Sequence, residues 1–137
     1  MRNRFTTIFL AGAALLLALI GGAILLNPLA FHAPNGIEIE NDASLLSEIR
    51  APGALLLSCA IIICAGAFRP VWRSSATLLT VIVYGSFAVA RLLSLALDGM
   101  PAPGIMAAGL LEGVVATLGL WLLIRPTPLV LDHTQTT

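Results

Sequence analysis

The chain has 137 residues, 58% of them apolar and 10% charged, with a formal net charge of zero. Soluble domains carry roughly 25% charged residues, so too little polar material is present to coat a water-soluble globule, and the composition reads as that of an integral membrane protein. Lys is absent and the seven basic residues are dispersed arginines, so no face or tail has the concentrated positive charge of a nucleic-acid surface.

The length allows one domain. Four apolar runs, each near the roughly 20 residues that span a bilayer, predict an all-α, four-helix transmembrane bundle over residues 1–126. The first run extends from about Phe5 to Leu26 and stops at Asn27-Pro28. Arg2 and Arg4 before it resemble the n-region of a signal peptide. The run is too long for an h-region, and no small-x-small site follows it, so a retained helix is expected. Ala14, Ala18 and Gly22 recur every fourth residue along it, the mark of a helix-packing face.

Residues 28–44 read as an acidic loop containing Pro28, Pro34, Asn35-Gly36 and the alternating Ile37-Glu38-Ile39-Glu40, too short to be assigned as a strand. The second helix is expected from about Leu45 to Phe68, before Arg69-Pro70. Pro52 leaves two readings open: a kink in one long helix, or the start of the spanning helix after a short interfacial one. Cys59 and Cys64 fall in this run, with side chains too divergent on a helix for a disulfide, and read as packing residues.

The third helix is expected at about 75–97 and the fourth at about 104–124, joined by a stiff turn, Asp98-Gly99-Met100-Pro101-Ala102-Pro103. Residues 127–137 read as a disordered cytoplasmic tail. Arg2, Arg4, Arg69, Arg73 and Arg125 fall on one side of this topology, whereas the opposite loops hold Glu38, Glu40, Asp42 and Asp98. The positive-inside rule then puts both termini in the cytoplasm, with a bacterial inner-membrane location and Trp72 and Trp121 near the cytoplasmic interface.

Charge inside the runs is the main functional clue. Arg91 lies seven residues before Asp98, and Glu112 eight residues after Gly104, so opposite charges reach similar depths on neighbouring antiparallel segments. An ionised side chain at the bilayer centre costs about 2.5–3.5 kcal/mol on insertion scales, so such groups pair, line a cavity or serve function. Arg91, Ser94 and Asp98 share one helical face. Gly109 and Gly113 flank Glu112 at a spacing that admits a close neighbour. Glu48 and Arg50, just before Pro52, belong to the same outer half. The candidate site is therefore Glu48, Arg50, Arg91, Ser94, Asp98 and Glu112, read either as a ligand-binding polar cluster or as a structural ion pair with interfacial neighbours.

No catalytic residue, metal site or cofactor site is assigned. His32 and His133 fall on opposite sides of the membrane, no phosphate-cradling loop, HExxH or CxxC occurs, and neither His lies in a run where it could ligate haem. A small transporter lacks a charged residue in the inner half to guide a route. Acid–base work on a lipid by Glu112 and Glu48 has no specific motif behind it.

With these residues in view, the chain resembles a family of small bacterial four-helix membrane proteins known only as a domain of unknown function. The resemblance is carried by Ser47-Glu48-Ile49-Arg50-Ala51-Pro52-Gly53, by Arg91-Leu92-Leu93-Ser94 with Asp98-Gly99-Met100-Pro101, and by Glu112. It covers about Phe5 to Ile124 and departs at Ala90, where the family often has Gly. It implies a four-helix bundle and no activity. The expected function is that of a non-enzymatic membrane protein whose outward-facing polar cluster binds a lipid, a small ligand or a larger membrane complex.

Overall fold

A computed structural model describes residues 2–125, with side chains from Arg4 onward; the expected tail, 127–137, lies outside the described residues. The described chain is all-helical: α1 (Arg2–Leu26), α2 (Pro28–His32), α3 (Ala43–Phe68), α4 (Arg73–Asp98) and α5 (Pro103–Ile124), with single 3-10 turns at Ala33–Asn35 and Pro70–Trp72. Four of these helices, α1, α3, α4 and α5, are long and apolar enough to cross a membrane.

Local chemistry sets the helix ends. Asn27 caps α2 by accepting from the Ala30 N–H at 3.2 Å, and Pro28 occupies the first turn, where a missing N–H costs nothing. The acidic loop thus opens with a short helix, and the His32 ring closes it by donating Nδ1–H to the Pro28 carbonyl at 2.8 Å. Asp42, expected only as a loop acid, is the N-cap of α3 and accepts from the Leu45 N–H at 2.9 Å. Gly99, at φ 93°, ends α4 in a conformation that side chains resist, and Pro103 begins α5.

Of the two readings of Pro52, the continuous helix is the one observed, because α3 runs unbroken through it. The Cys pair is unlinked, with Cys59 half-buried and Cys64 exposed.

Packing runs α1 on α3, α3 on α4 and α4 on α5. The α1–α3 crossing is closest at Gly21 and Gly53; of the expected small-residue face, Ala14 is buried in the core and Ala18 packs against it, while Gly22 gives way to its neighbour Gly21. A Cβ on Gly21 would stand 2.7 Å from the Gly53 carbonyl oxygen, whereas one on Gly22 would meet nothing within 4 Å. The core follows from that contact, with Leu10, Leu17, Leu56 and Ile63 buried between the two helices. Gly66 then lets α3 close on Ala76 of α4.

The α4 helix carries a polar stripe toward this core. Arg73, Thr77, Thr80 and Tyr84 fall at helical spacing on one side. Thr77 and Thr80 donate to the Arg73 and Ala76 carbonyls one turn back, both at 2.8 Å, which satisfies hydroxyls that would otherwise be costly to bury. Tyr84 is buried and donates across to the Ala13 carbonyl of α1 at 2.7 Å.

Candidate functional site

Arg91 sits seven residues, or about 10 Å, back from the end of α4, at a rise of about 1.5 Å per residue. Glu112 sits nine residues into α5, about 13 Å from its start on the same basis. The turn between the helices is short enough that these depths coincide. The two groups form a fork-to-carboxylate pair: Arg91 Nε donates to Glu112 Oε2 at 2.7 Å and Nη2 to Oε1 at 3.0 Å. Gly109, one helical turn before Glu112, supplies the room, since a Cβ there would be 3.0 Å from Arg91 Cδ. Gly113 does not share that task. It has open space where its Cβ would be, so only the first glycine of the Gly-x-x-x-Gly pair admits a neighbour.

The pair is lopsided. The Glu112 side chain is 11% exposed and that of Arg91 33%. A guanidinium has five N–H donors, and the carboxylate engages two of Arg91's; the remainder have no partner among the described residues.

Arg91 also lines a groove of about 860 Å³ along the flank of the α4–α5 pair. Its walls are apolar, with Phe87 and Leu95 from α4 and Met106, Leu110 and Val114 from α5. Gly113 forms part of the floor, and no residue of α1 or α3 contributes. Glu112 does not line it, so the groove meets the guanidinium with the carboxylate behind. Of the hydroxyls on its rim, Ser94 donates to Asp98 Oδ2 at 2.8 Å and Thr117 to the Gly113 carbonyl at 2.8 Å.

The six candidate residues therefore divide into separate groups. Arg91 and Glu112 are joined, and Ser94 and Asp98 form a second pair one to two turns further along α4, exposed at the mouth. Arg50 is not drawn into the cluster: its Nε donates to the Leu25 carbonyl at 3.2 Å, a cation at the C-terminal end of α1, where the helix dipole favours one. Glu48 is exposed and has no hydrogen bond among the described residues. Neither Glu48 nor Arg50 lines the groove.

A second polar centre, outside the six candidate residues, lies at the opposite end of the bundle. Arg73, read as a loop residue, begins α4. Its Nη2 donates to Thr7 Oγ1 at 3.2 Å and to the Ala67 carbonyl at 3.3 Å, and Thr7 donates to the same carbonyl at 3.2 Å. Arg73 Nε is buried without a partner among the described residues. Arg69 lies 5.5 Å from the Trp72 ring centre and Arg125 3.2 Å from that of Trp121. The signal was present as the period of Arg73, Thr77, Thr80 and Tyr84 along one face.

No group of three or more His, Cys, Asp or Glu side chains suited to a metal ion occurs among the described residues. The family model described as a domain of unknown function (DUF4345) matches residues 5–123. The chain belongs to the DUF4345 family. This match spans all four long helices, and the Arg91–Glu112 pair and its groove lie within the DUF4345 region. No curated protein and no solved structure matches the chain.

Proposed function

We propose that this is a non-enzymatic, four-helix integral protein of the bacterial cytoplasmic membrane that binds an amphiphile along α4 and α5, its polar end on Arg91. One observation carries the reading: a guanidinium with unused donors, a third exposed, faces a mainly apolar groove well inside the length of two helices apolar enough to span a membrane. Unsatisfied donors are expensive in lipid, and an acceptor on a bound molecule relieves that cost while its chain covers Leu95, Leu110 and Val114. The groove volume is in the range of small-molecule sites, about 300–1,000 Å³. Both termini are cytoplasmic on this reading, since Arg4, Arg69, Arg73 and Arg125 cluster at one end.

Native mass spectrometry of protein extracted gently from its own membrane, with no lipid added, tests the site. A stoichiometric amphiphile is expected on the wild type and absent from Gly113→Leu, which places a side chain in the groove where space is free. A bare wild-type chain, or equal occupancy in the variant, overturns the reading. A second reading makes the chain an accessory or assembly subunit with a structural ion pair. Its support is the two-point Arg91–Glu112 contact, which fixes α4 against α5 with or without a ligand. A stoichiometric protein partner in the same spectrum would establish it.

A further inference from the structure

We infer that the groove selects an uncharged amphiphile with a hydrogen-bond acceptor, such as an ester or ketone carbonyl on a long chain, and rejects anionic lipids. This rests on the reading of the groove as an amphiphile site and adds its charge class. An arginine at a lipid-facing groove ordinarily suggests an anionic headgroup. Here the charge is already cancelled, because Glu112 engages two donors through both carboxylate oxygens. No other ionisable side chain lines the groove. An incoming anion would leave one net negative charge beside Glu112 in a medium that solvates charge poorly, whereas a neutral acceptor leaves the pair balanced.

The mouth reinforces this choice. The same end of the molecule holds Glu38, Glu40, Asp42, Glu48 and Asp98, and its one arginine outside the pair, Arg50, is engaged with α1. An anionic headgroup therefore approaches a surface of its own sign. The donor inventory excludes the opposite class. Arg91 presents N–H groups and no acceptor, and a cation beside the balanced pair would leave one net positive charge in the same poorly solvating medium. The hydroxyl protons of Ser94 and Thr117 are committed to Asp98 and Gly113, so the free donors of the groove belong to Arg91. What fits is a lone pair without a charge.

A matched pair of probes separates charge from shape: a long-chain fatty acid and its methyl ester, presented in alkaline buffer to the full chain in neutral detergent. Binding is read by native mass spectrometry. The ester is expected to bind wild type at least about tenfold more tightly, the discrimination expected when an uncompensated charge must enter lipid depth. Glu112→Gln gives the site a net positive charge and is expected to reverse the preference. Asp98→Asn, exposed and outside the pair, is expected to narrow it without touching the core, so the question stays answerable even if Glu112→Gln does not fold. Tighter binding of the acid by wild type, or a ratio unmoved in every folded variant, overturns the charge assignment alone. If neither probe binds and Gly113→Leu changes nothing, the amphiphile reading fails with it.

Discussion

Arg91 is held by geometry that a lysine cannot reproduce, because two of its donors meet two oxygens of one carboxylate. Arg91→Lys is therefore expected to lower stability by about 1–2 kcal/mol through loss of one charge-assisted bond. Arg91→Ala should cost more, about 2–4 kcal/mol, since it leaves the Glu112 carboxylate buried alone. In the double change Arg91→Ala with Glu112→Ala, much of that loss should return. Denaturant unfolding in detergent measures all three, and strictly additive losses would show that the pair contributes no coupling energy. The neighbourhood of these two residues is legible in the sequence from their equal distances to a short turn. The exposed guanidinium edge is not, since it depends on which side of α5 the carboxylate occupies. Arg50 shows the same limit from the other direction. Its place on the second long helix just before Pro52 is readable, yet its partner is a backbone carbonyl 25 residues away, and every residue supplies a carbonyl.

At the scale of elements, the four long helices are legible because hydrophobic length fixes them almost independently of tertiary contact. Their facing surfaces are less so. Small residues recur along α1 at Gly12, Ala14, Ala18, Gly21 and Gly22, and a four-residue register selects a stripe that includes Gly22. At its last member the contact selects Gly21 instead, because Gly53 of α3 lies opposite it. This predicts opposite outcomes for adjacent positions. Gly22→Ala meets no neighbour and should be neutral or stabilising by up to about 1 kcal/mol, the helix propensity gain over Gly. Gly21→Ala forces its Cβ onto the Gly53 carbonyl and the Leu57 amide nitrogen and should destabilise by about 1–3 kcal/mol, as overpacking does. Thermal unfolding of the two single variants decides the matter, and equal effects would contradict the crossing described. The short α2 helix is not legible in the sequence for a different reason. Its five residues are too few to show a period, and only the Asn27-Pro28 cap announces it.

At the scale of the whole molecule, charge is segregated between the two ends. The end at which α1 begins and α5 finishes carries Arg4, Arg69, Arg73 and Arg125, and among the described residues no carboxylate accompanies them. Three of these arginines are held by uncharged groups instead: Arg69 and Arg125 by indole rings, Arg73 by Thr7 and a carbonyl. The acids among the described residues gather toward the other end. Such a dipole predicts a single orientation in the membrane. In a background with Cys59→Ala and Cys64→Ala, Met100→Cys should react with an impermeant maleimide on intact cells. Val71→Cys, at the arginine-rich end and equally accessible in the fold, should react only after lysis. The reverse pattern would invert the topology, and labelling of both in intact cells would mean mixed orientations.

The brevity of the turn between α4 and α5, residues 99–102, bears on how the protein is made. A helix emerging alone with Arg91 would enter the bilayer carrying an unbalanced charge, and α5 alone would carry the opposite one with Glu112. Joined by so short a connection, the two helices can meet side by side before either is released into lipid. Glu112 can then neutralise Arg91 at the mouth of the translocation machinery rather than afterwards. On this view α4 and α5 are one unit of insertion, a hairpin whose admission to the membrane depends on its own internal charge balance. A variant lacking either partner would be handicapped first in biogenesis, with fewer chains reaching the bundle, before any defect in the finished protein could be observed.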